Sequence, residues 1–226
     1  MTDTGTSPDD LPAILAGPIL RRLSPERLRI WLVASRPLSL TLELSPSGES
    51  PRRQPLGEDD YRLVPLGRHA LLYLIDAPLD EPLPQDTRID YDLKVTDERE
   101  TSLGELAPHL CHEGHETPAF VLASSHRRLL HGSCRRPHYD GPDGLAHLDS
   151  WLAQRLECPE QWPAWLLMTG DQIYADDVAG PLLVAIHALI ERLGLFDETL
   201  EGSTIDDSQS LYASPFSYYR REELLP

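Results

Sequence analysis

The chain has 226 residues, with 20 Lys and Arg against 37 Asp and Glu, for a formal net charge of -17. Such a field repels polyanions and argues against a nucleic-acid or anionic-membrane partner. With 40% hydrophobic and 25% charged residues, the composition is that of a globular protein in water, large enough for one big domain or two small ones.

The first ten residues, "MTDTGTSPDD", carry neither a basic stretch nor an apolar one, and are read as a disordered tail without a secretory signal. From Leu11 to Asp97 the pattern is that of strands. "LSLTLELS" puts Leu38, Leu40, Leu42 and Leu44 on one face, and "RIDYDLKV" does the same with Ile89, Tyr91, Leu93 and Val95. "RLRIWLVA" (27–34), "YRLV" (61–64) and "HALLYLI" (69–75) lie between them. Breaks are expected at Ser35–Pro37, at the Pro-, Gly- and Arg-rich stretch 45–60, and at 76–85. Short alternating segments separated by turn residues predict a small antiparallel sandwich over 11–97, with a structural or docking role.

Residues 98–118 are polar, broken by Pro108 and Pro118, and read as a linker. They contain "CHEGHE", where Cys111, His112 and His115 have ligand types that suit zinc. A structural zinc site needs a second ligand pair, which is not evident, so a plain loop is the competing reading. The three cysteines, Cys111, Cys134 and Cys158, are odd in number and far apart. That pattern argues against a disulfide framework and fits a reducing, cytoplasmic compartment. No apolar run approaches the roughly 20 residues of a membrane-spanning helix.

From 119 onward the period changes. "RRLLHGSC" (127–134) predicts a strand ending at Gly132-Ser133-Cys134, and "GPDGLAHLDSWLAQRLE" a helix with Leu145, Leu148, Leu152 and Leu156 along one face. "AWLLMTGD" (164–171) predicts a fully buried strand. "AGPLLVAIHALIERLG" predicts a helix with Pro181 in its first turn and Gly194 at its stop. Its apolar face would hold Leu182, Leu183, Ile186, Leu189, Ile190 and Leu193, with His187 on the polar side. Strand, helix, strand, helix predicts a parallel sheet covered on both faces. A right-handed crossover brings both strand tips to one edge, so Cys134 and Asp171 should converge there, with Tyr174 one turn on. Duller roles compete: Cys134 as a small buried hydrophobe, Asp171 as a helix cap, Tyr174 as core. Asp176 and Asp177 read as a helix N-terminus, and His131, His138 and His147 as surface or supporting groups.

"HGSCRRPH" (131–138) followed by "LLMTGDQIYADD" (166–177) resembles the alkaline phosphatase D, or PhoD-like, branch of the calcineurin-like metallophosphoesterases. The fold class implied is an immunoglobulin- or fibronectin-like β-sandwich, followed by the first βαβα part of a metallophosphoesterase sheet over 119–226. The resemblance implies that Cys134, Asp171 and Tyr174 bind Fe3+, with Asp171 bridging to a second, harder ion, Ca2+. Thiolate and phenolate suit a trivalent iron, and a carboxylate can serve two metals. The implied substrate is a phosphomonoester or phosphodiester, with Arg135 and Arg136 either holding phosphate or solvated. The later Asp-Asp-His-type ligands of the family are absent after residue 177. The expectation is therefore a truncated enzyme, inactive alone, whose short sheet leaves an open edge and an uncovered apolar face. A non-catalytic scaffold with vestigial metal residues is the alternative.

Overall fold

A computed structural model describes residues 11–126, 128–136, 139–175, 177–218 and 220–225. The expected N-terminal tail, and His138 and Asp176, lie outside these residues. Most of the regular structure is antiparallel β-sheet, with few helices. Strands β1 (Ile14–Ser24), β2 (Arg27–Ala34), β3 (Ser39–Pro46), β4 (Arg52–Pro55), β5 (Tyr61–Gly67), β6 (Ala70–Pro78) and β7 (Arg88–Thr96) fill the first half. After them come β8 (Glu100–Thr101), helix α1 (Leu103–Leu106) and β9 (Ala119–Val121). One sheet runs β1-β2-β6-β5; the other runs β4-β3-β7-β8, with β9 also on β7.

The alternation works as anticipated. Leu38, Leu40, Leu42 and Leu44 are buried, as are Ile89, Tyr91, Leu93 and Val95. They form one cluster with Leu28, Ile30 and Leu32 of β2 and Tyr73 and Ile75 of β6, so both sheets face a common core. Tyr73 is fully buried, and its hydroxyl accepts from the Leu38 amide at 2.7 Å, stitching one sheet to the other. Among the described residues β1 has one strand neighbour, and this edge position accommodates Pro18 and a register shift. Gly17 there has φ +83°, and a Cβ would lie 2.8 Å from the Trp31 carbonyl, so no larger residue fits.

Two segments depart from the sequence reading. β4 falls inside the stretch read as a break; it is a charged edge strand paired to β3 from Thr41↔Pro55 to Leu44↔Arg52. The segment read as a linker is tied into the second sheet. Within it β8 pairs with β7, and the Leu103 amide donates to the buried Asp92 carboxylate at 2.7 Å; β9, just beyond it, also pairs with β7. Leu103, Ala107, Phe120 and Leu122 enter the main core. Their apolar residues are too sparse for a local period, and only pairing with a distant strand organises them.

The second half contains β10 (Leu129–Gly132), α2 (Gly144–Ala153), β11 (Trp165–Met168), α3 (Gly180–Leu193) and α4 (Ser208–Ala213). β10 and β11 are parallel, in register from Leu129↔Trp165 to Gly132↔Met168. The expected burial on both faces is corrected: Leu129 is 53% exposed, Trp165 52% and Leu166 48%. Among the described residues no third strand flanks this pair, and a uniformly apolar run does not itself report what covers it.

Pro181 and Gly194 stand where predicted, Gly194 in the left-handed conformation that ends the helix. The buried side of α3 agrees with the expected one at Leu183 and Leu193 and departs from it elsewhere. It holds Leu183, His187 and Leu193, whereas Leu182, Leu189 and Ile190 are exposed. His187 packs edge-on against Tyr212 of α4, ring centroids 4.4 Å apart. The tertiary partner chooses the side, because an apolar helix such as this offers more than one.

The β5–β6 hairpin anchors the end of α3. The Arg68 and His69 amides donate to Gly194 and Leu193 carbonyls at 3.0 and 2.9 Å, and Phe196 donates to Leu66 at 3.0 Å. Leu193 joins Leu11, Val33 and Ala70 in a second apolar cluster. Among the described residues, no helix is long and apolar enough to cross a membrane.

Candidate metal centre

The parallel register of β10 and β11 continues past both strand ends. The Thr169 amide donates to the Gly132 carbonyl, and the Cys134 amide to the Gly170 carbonyl, both at 3.0 Å. Two extended chains held in step to their tips deliver the next side chains to one place. The Cys134 thiol donates to Asp171 Oδ2 at 3.3 Å. Both residues have positive φ, 56° and 50°, a conformation that costs a residue with a Cβ roughly 1–2 kcal/mol. Such backbone strain persists only where surrounding structure enforces it, and it concentrates at functional sites.

Tyr174 closes the group. Its phenol is pushed above the ordinary range, first by loss of solvent, then by a hydrogen bond with Cys134 and by the charges of Cys134 and Asp171. Arg136 acts in the opposite direction. A cation placed among these donors would reverse that balance and favour the phenolate. Cys134 sulfur and Asp171 oxygen therefore meet at the strand tips, with the Tyr174 phenol beside Cys134. Among the described residues, no group of three or more His, Cys, Asp and Glu side chains is placed to hold a metal. Cys134 and Asp171 reach three donors through the tyrosine.

Arg135 and Arg136 are each engaged. Arg135 holds Asp143 at 2.7 Å, and Asp143 also caps α2 by accepting from the Leu145 amide at 2.9 Å. The Arg135 guanidinium keeps the Asp143 carboxyl below its usual range. Arg136 pairs with Asp177. His131 meets the Thr169 hydroxyl across the strands at 2.7 Å, Nε2 to Oγ1. Cys111, His112 and His115 do not form a metal cluster. His115 Nδ1 lies 2.9 Å from the buried Arg88 guanidinium, and His112 Nε2 lies 3.9 Å from Asp149. Burial, then the Asp92 charge, raises the Cys111 thiol pKa.

Two features carried no signal in the sequence. Arg221, distant in the chain, donates to the Ala175 carbonyl and fastens the loop just after Tyr174. A cavity of about 740 Å³ opens between α2 and the two parallel strands, with Cys134 and Tyr174 among its walls. Leu130, Leu145, Leu148, Trp151, Leu166 and Met168 supply apolar lining. The helix leucines read simply as core, because a spacing pattern does not reveal a gap. Comparison of the chain with protein-family models, with curated proteins and with solved structures finds no match.

Proposed function

We propose that residues 119–226 are built like the opening βαβα portion of a PhoD-like metallophosphoesterase, preceded by an immunoglobulin- or fibronectin-like sandwich, and that the site serves hydrolysis of phosphomonoesters or phosphodiesters. The observation that carries this reading is the 3.3 Å approach of Cys134 sulfur to Asp171 oxygen at adjacent strand tips, with Tyr174 beside them. Cys134, Asp171 and Tyr174 would hold Fe3+, and Asp171 would offer its other oxygen to Ca2+. Bound ions of this kind supply charge to a phosphate ester and lower the pKa of a coordinated water. Arg136, paired with Asp177, would exchange that carboxylate for a phosphate oxygen, whereas Arg135 serves α2. Among the described residues no metal-binding group of His, Cys, Asp and Glu provides further ligands for the second ion, so turnover by this chain alone is expected to be weak or nil.

A non-catalytic scaffold is the second reading, favoured by the engagement of both arginines with carboxylates. Reconstitution with ferric ion separates the two. The enzyme reading expects an iron–tyrosinate absorption band that is lost in Tyr174→Phe and weakened in Cys134→Ser. Protein that stays colourless and retains no iron supports the scaffold and ends the metal reading. A band that survives Tyr174→Phe would remove this site from consideration.

A further inference from the structure

We infer that the site accepts phosphate esters of apolar alcohols, aryl or alkyl, whose organic group lies between α2 and the β10–β11 pair; this rests on the metallophosphoesterase reading above. Cys134 and Tyr174 line the same cavity as the apolar side chains, so an ester held at the strand tips has apolar walls beside its organic group. The walls follow from the elements. Leu130 and Leu166 are register partners on the strand bodies, before the tips that carry Cys134 and Asp171. Leu145, Leu148 and Trp151 recur every third residue along α2, and none of the α2 residues is buried. The Arg155 guanidinium lies 4.2 Å from the Trp151 ring centroid and fixes the indole.

A cavity of about 740 Å³ is in the range that holds small organic ligands. Apolar walls standing apart in water leave unburied surface, and an alkyl or aryl group removes it.

The test uses the full chain loaded with ferric ion and two inert phosphonates, methylphosphonate and hexylphosphonate, titrated by calorimetry while the iron–tyrosinate band is recorded. Each buried methylene is worth roughly fourfold in affinity, so even partial burial of five favours hexylphosphonate by at least about tenfold. Leu148→Asp and, separately, Trp151→Ala should erase that preference, whereas Val184→Asp, on the exposed side of α3, should keep it. Equal affinities for the two phosphonates in protein that shows the band would overturn this inference and leave the metal reading standing. Failure to form the band would remove both, since the phosphonate would then have no anchor.

Discussion

Replacing Gly67 by Ala tests whether the β5–β6 hairpin holds the second half of the chain in place. An added Cβ would fall 2.7 Å from the Gly194 carbonyl oxygen and 2.8 Å from Leu195 Cα. Both are backbone atoms, so no flexible side chain can swing aside, and the two segments must separate by several tenths of an ångström. Three hydrogen bonds cross this junction, from Arg68, His69 and Phe196. At roughly 1 kcal/mol each, their loss costs about 3 kcal/mol. Loosened packing of Leu193, which is buried here, adds to that. Opening of the junction should therefore become about a hundredfold more frequent, since 1.4 kcal/mol is a factor of ten. Limited proteolysis reports it directly: cleavage within residues 185–200 should accelerate by about that factor when reclosing outpaces cutting. Gly144→Ala is the control, because a Cβ there meets nothing within 4 Å. If Gly67→Ala is cut at the wild-type rate, the hairpin does not hold α3 and the docking argument fails.

Tyr73→Phe strands the buried Leu38 amide, at a cost of about 1–3 kcal/mol. Urea melts should show a lower midpoint with an unchanged slope; an unchanged midpoint would mean the cross-sheet bond contributes nothing. His187 has its pKa lowered, by burial first and then by Arg221, against Glu191. The folded state therefore disfavours its protonation, so the associated stability is present above about pH 6.5 and is lost as pH falls below that value toward the folded pKa. Melts at pH 7.5 and 5.5 should differ less in His187→Gln than in wild type. An identical difference would assign the acid sensitivity elsewhere.

Local order was written in the residues themselves. The alternation of Leu38–Leu44 and Ile89–Val95 specified strands and their inner faces, because side chains two apart on an extended chain share a face. Pro181 and Gly194 bounded α3 through their own backbone preferences. The meeting of Cys134 and Asp171 was also deducible, since parallel strands joined by one helix end at one edge. What required the tertiary structure was everything set by distant partners. β4 and β9 exist because β3 and β7 offer backbone hydrogen bonds, which carry no side-chain signature. The burial of His187, the exposure of β11, the carboxylates opposite Arg135 and Arg136, and the gap beneath α2 depend on which surfaces come together. Periodicity states that a face is apolar, and only packing decides what, if anything, covers it.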